Sequence, residues 1–258
     1  MANYHLEIKP ISRGRGHSVT SRVNYISGQT LHDSYKDKTY HHHRKDVVSQ
    51  KIYLPITAPS EFQKLQRFCD EIEGAEVRKD ARTAREFIGS LPNELPPGEW
   101  VRIVRDFIRR NFVDHGLGAI AAIHSGLNRD DPSKNNPHVH IIVPTRTVGP
   151  DGFSKLKDRE HDKRVYINIW REQWAAEQNR AYVRNYLDIR VSHERLEVQG
   201  VRDRQPTIHL SLADWQREKR GIRTRAGDKK RIIEVRNRER AQQHQLNQER
   251  SLDIERLM

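Results

Sequence analysis

The chain has 258 residues, of which 47 are Lys or Arg and 35 are Asp or Glu, so its net charge is +12 before any of its 14 histidines is counted. It has no apolar run long enough to span a membrane and no apolar signal segment at its N-terminus. Its single cysteine excludes an intrachain disulfide framework and a cysteine-rich zinc module. These features predict a cytoplasmic protein that binds polyanions without inserting into a membrane.

The first two hundred residues alternate between strand-like and helix-like patterns. The first strand pattern stops at Pro10, the first helix pattern has Gly28 available to close it, and the second helix has Ser60 as its candidate N-cap. The predicted strands are residues 4–8, 51–54, 84–91, 117–124 and 138–144, and the predicted helices are residues 18–27, 59–72, 99–111 and 167–186. This order favours an α+β fold with a central, mostly antiparallel sheet flanked by helices.

The composition changes after residue 200. Gly200 and Pro206 bracket a polar stretch, and residues 217–240 then hold eleven Lys or Arg against four acidic residues. Apolar residues are too sparse there to bury much of a core. The sequence therefore predicts a main domain over residues 1–200 and a basic helical extension over residues 201–258.

Three histidines are placed where two predicted strands form a hairpin. His138 and His140 alternate with Val139, so both project from one face of their strand, and His124 ends the preceding strand. Three imidazoles on one face predict a site for a divalent ion with open coordination positions, and this ligand set does not choose among Mn²⁺, Zn²⁺ and other divalent ions. With the whole sequence considered, we expect Mg²⁺ or Mn²⁺, with Zn²⁺ as the alternative. The alternative is a hydrogen-bonded or solvent-exposed histidine face. The His41-His42-His43 run is expected to be a DNA-contacting loop, and His115 and His161 have no partner that the pattern identifies.

A metal ion beside a basic surface indicates phosphodiester chemistry, which needs a nucleophile. No Walker A loop is present. Tyr25, on the helix that follows the basic glycine loop, is the candidate, and Tyr4, Tyr35 and Tyr40 compete with it. The cations around this helix are the expected phosphate contacts: Arg13, Arg15, Arg22, Arg44 and Lys45.

Several motifs occur in an order that is similar to one known family. They are Tyr4-His5-Leu6, the Ser-Arg-Gly loop, Asn24-Tyr25, Arg85-Glu86 ahead of Leu91-Pro92-Asn93-Glu94-Leu95, and Asn136-Pro137-His138-Val139-His140. Over about residues 1–200 the chain resembles the MobA/MobL relaxases, which are MobQ-type conjugative nickases of the HUH endonuclease superfamily. Each motif is weak alone, whereas five in order are specific.

The resemblance implies an HUH relaxase-like palm fold and a defined activity. Such enzymes nick one strand of single-stranded or hairpin DNA at a plasmid origin of transfer, stay joined to the 5′ end through a phosphotyrosine, and reseal the strand after transfer. It implies that Tyr25 is the nucleophile, that His124, His138 and His140 bind the metal, and that Glu86 orients a ligating histidine. Glu94 matches a further acidic position.

The resemblance also implies partners. They are the origin DNA, auxiliary mobilisation proteins and the coupling protein of a type IV secretion channel, through which the relaxase follows the DNA into the recipient cell. Larger relatives carry a C-terminal helicase or primase domain. The basic extension is expected to contact DNA or these proteins, unless it is a solvated helix. Two other functions remain open: a rolling-circle replication initiator of the same superfamily, and a basic DNA-binding protein with a structural metal.

Overall fold

The computed structural model describes residues 4–128, 131–132, 135–201, 203–208 and 210–257. It divides into two compact units, Met1–His193 and Glu194–Met258. The predicted boundary at residue 200 lies seven residues after this division.

The strands and helices of the described residues follow the chain from β1 to α6. The strands are β1 (Leu6–Ser12), β2 (Leu31–Asp33), β3 (Lys38–Tyr40), β4 (Val47–Tyr53), β5 (Arg82–Ser90), β6 (Ala119–His124), β7 (His138–Pro144), β8 (Val148–Gly149) and β9 (Gly152–Phe153). The helices are α1 (Val19–Ser27), α2 (Leu65–Gly74), α3 (Pro97–Asn111), α4 (Val165–Arg184), α5 (Leu212–Lys219) and α6 (Arg225–Leu257).

Five strands of the first unit form one sheet in the order β1-β5-β7-β6-β4, and every neighbouring pair is antiparallel. Two of the central strands, β6 and β7, are rich in Ala, Ile and Val that are buried on both faces. Helices α3 and α4 cover one face through Phe107 and Trp174, and α1 and α2 cover the other through Val23 and Phe68. This arrangement confirms the predicted α+β class with a central antiparallel sheet.

The predicted strand 4–8 and the predicted helix 59–72 differ most from the structure. Strand β1 continues through Pro10 to Ser12, because β1 is an edge strand, where a proline costs no ladder hydrogen bond on its open side. The helix predicted over residues 59–72 is two pieces, a 3₁₀ turn at Ser60–Gln63 and then α2. Lys64 separates them because its backbone is extended, with φ −84° and ψ 120°.

The second unit is helical, as predicted for a basic extension. Ser211 caps α5 by accepting a hydrogen bond from the Asp214 amide. Glu218, near the end of α5, accepts from the Thr224 amide and pairs with Arg231 of α6 at 2.6 Å, so a carboxylate joins the two helices. Among the described residues of the chain, no helix is both long enough and apolar enough to cross a bilayer.

Candidate metal centre and its neighbouring tyrosine

Strands β6 and β7 place the three histidines side by side. His124 lies directly opposite His138 in the antiparallel register, and His140, two residues further along β7, lies opposite Ala122. All three rings therefore project from the face that α1 covers. Their centroids are 5.0 to 5.2 Å apart, and one ring nitrogen of each lies within 4.8 Å of the others.

Each ring uses its outer nitrogen as a hydrogen-bond donor. His124 Nε2 donates to the Ile26 carbonyl at 2.7 Å, His138 Nδ1 donates to the Asn136 carbonyl at 2.8 Å, and His140 Nδ1 donates to Glu86 at 2.7 Å. A carbonyl or carboxylate oxygen can only accept, so these bonds fix the tautomer of a neutral ring. The opposite nitrogens, which face one another, are left with lone pairs.

Burial keeps two rings of the cluster, those of His124 and His138, uncharged near neutral pH. Burial, partly offset by the bond to the Ile26 carbonyl, lowers the pKa of His124 to about 4. Burial also lowers the pKa of His138. Near neutral pH these imidazoles are therefore available as ligands without first losing a proton.

The donor set fits a cation. His124 Nδ1 and His138 Nε2 lie 3.2 Å apart. Two lone pairs that face each other at this distance repel one another unless a cation or a shared proton lies between them. Three imidazoles whose outer nitrogens are bonded to oxygen acceptors are a ligand arrangement common in metalloproteins.

Glu86 connects the cluster to α1. It is buried on β5, and it accepts from His140 on one side and from Arg22 Nε at 2.8 Å on the other. Burial opposes its ionisation, but the bonds from His140 and Arg22 hold its pKa below the usual value. The carboxylate is therefore charged, as a partner of a metal-ligating histidine needs to be.

Tyr25 lies on α1 between Arg22 and Ile26, which connect this helix to Glu86 and to the histidine cluster. Arg22 reaches Glu86, and the Ile26 carbonyl accepts from His124. A capping box between Ser18 and Ser21 begins α1, and Gly28, in the left-handed conformation, ends it. Both the start and the end of the helix are thus set by local sequence, and its face toward β6 and β7 is set by these two bonds.

The Tyr25 ring is held among cationic and aromatic groups. It stacks on His42 with centroids 4.9 Å apart, and the guanidinium carbons of Arg22 and Arg44 lie 5.0 and 5.2 Å from its centre. The side chain is 40% exposed, so a substrate can reach it. Cations this close to the ring can pair with a phosphate that is bound against it.

The other candidate tyrosines occupy different places. Tyr4 donates to the Arg171 carbonyl on α4, and burial raises its pKa. Tyr35 lies under the Arg13 guanidinium, and Tyr40 lies next to Lys38. Of the four, Tyr25 is the one whose helix is hydrogen-bonded to the histidine cluster.

Arg13 is placed differently from its predicted role as a phosphate contact. It is 7% exposed, and it donates from Nε and Nη2 to Glu73 of α2 at 3.0 and 2.9 Å. Glu73 in turn accepts from the Val19 amide at the start of α1. The prediction for Arg13 is therefore wrong: its charge is neutralised inside the protein, where it fixes α1 to α2.

The other predicted cations remain accessible to differing degrees. Arg15 and Lys45 are exposed. Arg22 and Arg44 flank Tyr25, although each is already paired with a carboxylate, Glu86 and Asp46 respectively.

Glu94 accepts from Tyr182 of α4 at 3.3 Å, which gives it a partner on the opposite face of the sheet from the histidines.

Two residues of this region were not predicted from the sequence. Asp46 bonds Arg44 at 2.7 and 2.8 Å, and this partner lowers the pKa of Asp46 to about 2. Gly126 has φ +54°, and a Cβ built on it would lie 2.0 Å from the Asn136 carbonyl oxygen, the acceptor for His138. No sequence pattern indicates that Asp46 pairs with Arg44. Gly126 comes shortly after the end of a strand, where a glycine indicates a close backbone approach.

Comparison with known proteins identifies relatives over most of the chain. A probable mobilization protein MobA of Bifidobacterium longum is 30% identical, over 86% of this chain and 45% of that protein. A conjugal transfer protein TraA of Agrobacterium fabrum is 26% identical, over 86% of this chain and 23% of that protein. The chain thus spans less than half the length of these relatives.

A solved structure described as "Molecular Basis of Vancomycin Resistance Transfer in Staphylococcus aureus" shares the fold. The match has a TM-score of 0.67 and 24% identity, and it covers 74% of this chain and 98% of that one. Residues 17–220 match the model of the MobA/MobL family, a span that includes the histidine cluster, Glu86 and Tyr25. The chain therefore belongs to the MobA/MobL family.

Proposed function

We propose that this chain is a relaxase that nicks one DNA strand at a plasmid origin of transfer and later reseals it. Tyr25 is the nucleophile, His124, His138 and His140 hold a divalent ion, and Glu86 positions His140. Family membership supports the reaction class. The observation that carries the assignment of residues is the attachment of α1 to the cluster on both sides of Tyr25, through Arg22–Glu86 and through Ile26–His124.

The reaction is an exchange of one phosphodiester for another. The Tyr25 phenolic oxygen attacks the phosphorus, the bond to the 3′ oxygen breaks, and the 5′ phosphate stays on the tyrosine. The phenolic proton passes to solvent, which reaches this ring, and the leaving 3′ oxygen takes up a proton. Because one ester replaces another, the 3′ hydroxyl can reverse the step without a nucleotide cofactor.

The surrounding residues bind and orient the strand. Arg22 and Arg44, on either side of the Tyr25 ring, would contact the non-bridging phosphate oxygens. His42, stacked on Tyr25, restricts the rotation of the ring. The exposed Arg15 and Lys45 would contact neighbouring phosphates.

The three histidines would hold the ion, which would supply charge stabilisation to the phosphate in the transition state. Imidazole ligands suit transition ions better than Mg²⁺, so we expect Mn²⁺ or Zn²⁺ to bind this site more tightly than Mg²⁺. Isothermal titration with the three ions, on protein first treated with a chelator, measures this order.

The proposal extends to the cellular context of the family. Origin DNA is the substrate, and auxiliary mobilisation proteins and the coupling protein of a type IV secretion channel are partners. The enzyme would act in the donor cytoplasm and pass with the strand to the recipient. The relatives that are named for mobilization or conjugal transfer support this part.

A covalent-adduct assay tests the assignment of the nucleophile. The protein is incubated with Mn²⁺ and labelled single-stranded oligonucleotides that tile the origin region, and denaturing gels separate adducts from free DNA. Wild type should form an adduct on one oligonucleotide, Tyr25→Phe should bind it without forming one, and Tyr35→Phe should behave as wild type. An adduct with Tyr25→Phe at normal yield would contradict the proposal.

Two outcomes of this assay would indicate the other functions. A protein that binds DNA and forms no adduct with any oligonucleotide is a DNA-binding protein with a structural metal. An adduct that forms only at a replication origin indicates a replication initiator of the same chemistry.

A further inference from the structure

The second unit carries a line of exposed cations on one side of α6. These are Arg225, Lys229, Arg236 and Arg240, and each is exposed. Their spacings of four, seven and four residues place them within about 60° of the helix circumference, over a length of about 22 Å. We call these four residues the α6 stripe.

The opposite side of α6 is packed. Asn237 accepts from the Gln205 amide at 2.7 Å and donates to the Gln205 carbonyl at 2.9 Å, so it holds the preceding segment. Gly227 is buried against Glu218, and Arg231 pairs with the same carboxylate. These contacts fix the rotation of the helix within its unit and leave the α6 stripe facing away from the packed side.

The charges of the stripe are not neutralised by the protein. In the described part of the chain, none of the four forms an ion pair, although Arg223 and Arg231 of the same region pair with Asp228 at 2.6 and 2.5 Å. Glu239 borders the stripe without pairing with Arg236 or Arg240. Four unpaired like charges on one helix side repel one another, a cost that a bound polyanion would remove.

We propose that the α6 stripe binds the phosphate backbone of duplex DNA without regard to sequence. A duplex carries one negative charge per about 1.7 Å of its axis, so a straight 22 Å row of cations meets many phosphates at once. Binding of this kind needs cations and no base contacts. The inference goes beyond the nicking site, because it assigns a second DNA contact to the other unit.

The composition of the stripe favours a duplex over two other partners. Single-strand sites combine cations with aromatic rings on which bases stack, and no aromatic residue lies on the α6 stripe. Protein interfaces are centred on buried aromatic or aliphatic anchors, and the exposed apolar residue on this side of the described helix is Ile232. A rigid row of cations without either feature fits a rigid anionic rod.

Salt-dependent binding of the full chain tests the inference. The stripe variant R225Q/K229Q/R236Q/R240Q keeps good helix formers, and circular dichroism checks its helicity. A matched control, K64Q/K79Q/K155Q/R164Q, removes four exposed first-unit cations that, in the described part of the chain, form no ion pair. Fluorescence anisotropy measures binding to a duplex of arbitrary sequence of about 30 bp between about 50 and 200 mM salt.

The expected result is specific to the stripe variant. Each lost phosphate contact lowers the slope of log affinity against log salt by about 0.9, so the slope should fall by about 3 to 4 in the stripe variant and by less than about 1 in the control. An equal fall in both variants would reduce the effect to net charge and overturn the inference. An unchanged slope in the stripe variant would also overturn the inference and would indicate that the stripe binds an acidic protein. An equal loss of binding to oligo-dT of the same length would overturn it as well, because it would indicate a single-strand site.

The test is separable from the proposed function. Adduct formation on a saturating single-stranded origin oligonucleotide should be unchanged in the stripe variant, whereas Tyr25→Phe should lose adduct formation and keep duplex binding. Failure of one proposal therefore leaves the other standing.

Discussion

Two histidine groups of the first unit each contain a buried histidine beside a carboxylate, and of these two only one has the geometry of a cation site in the described residues. His124, His138 and His140 lie on the α1 face, and His161, which contacts the His115 ring, packs against Trp170 of α4. Each group contains a buried histidine that donates from Nδ1 to a carboxylate at 2.7 Å, His140 to Glu86 and His161 to Asp158. Residue type and acidic partner therefore do not distinguish the groups.

The difference lies in how many nitrogens converge. In the first group three nitrogens face one another. In the second group the His161 Nε2 is buried without a hydrogen-bond partner in the described residues, and the other histidine ring, that of the exposed His115, lies 5.2 Å away between centroids. His161 otherwise packs on Tyr166 and on Trp170, which suits a structural ring. A histidine group becomes a site through convergence and fixed tautomers, and burial beside a carboxylate alone is insufficient.

Removing one histidine from each group should distinguish the two groups most clearly. His140→Ala should lower the affinity for Mn²⁺ by more than the roughly 100-fold that loss of a supporting partner costs, because a direct ligand is lost. His161→Ala should leave that affinity unchanged. Isothermal titration calorimetry on chelator-treated protein measures both.

The adduct assay gives a second readout of the same pair. His140→Ala should form no detectable adduct, and His161→Ala should form it at the wild-type level if the variant stays folded by circular dichroism. Equal loss of metal affinity in both variants would show that the second group also contributes to the site.

Acid should destabilise the metal-free protein through the first group. Burial lowers the pKa of His124 to about 4, below the 6.5 of an unfolded histidine. Between these values the unfolded chain binds a proton that the folded cluster does not, so the free energy of unfolding rises with pH. The stabilisation is complete above pH 6.5, and acidification to pH 4 should remove up to about 3 kcal/mol.

Urea unfolding at a series of pH values with a chelator present measures this dependence. His124→Asn removes the titrating ring and should flatten the profile between pH 4 and 6.5 relative to wild type. A wild-type profile as flat as that of the variant would show that His124 is not held neutral by burial.

Substitution of the two predicted glutamates, Glu86 and Glu94, compares their contributions to metal affinity, and the expected change is smaller than that for His140→Ala. Glu86→Gln removes the charge that holds Arg22 and supports His140, and we expect metal affinity to fall about 10- to 100-fold. Glu94→Gln, whose partner is Tyr182 on the opposite face, should leave metal affinity at the wild-type value. Titration with Mn²⁺ measures both variants. Similar losses in the two would refute the positioning role of Glu86.

The sequence predicted the hairpin of the cluster because alternation along a strand fixes which side chains share a face. His138 and His140 follow from this rule alone, and pairing with His124 needs only a short connection. The continuation of β1 past Pro10 and the break at Lys64 were missed, because they depend on neighbours in space: whether a strand has a partner on both sides, and how one chain segment packs on another.

Arg13 shows the same limit for a charge. Its position in a basic glycine loop predicts a phosphate contact, and only the fold reveals that Glu73, sixty residues away, neutralises it. Hydrogen bonds to backbone carbonyls are equally invisible in sequence: the acceptors for His124 and His138 belong to Ile26 and Asn136 and involve no polar side chain.

Gly126 connects these backbone contacts to the site and gives the smallest of the expected effects. Any side chain at this position must displace the Asn136 carbonyl, because a Cβ would lie 2.0 Å from its oxygen. Gly126→Ala should therefore lower Mn²⁺ affinity several-fold, less than Glu86→Gln, since the acceptor of His138 moves but is not removed. Gly16→Ala is the matched control: Gly16 also has a positive φ, +73°, but among the described residues no atom lies within 4 Å of its Cβ. It should cost about 1 kcal/mol of stability and leave metal affinity unchanged. Equal metal affinity in the two variants would show that the Asn136 carbonyl does not orient His138.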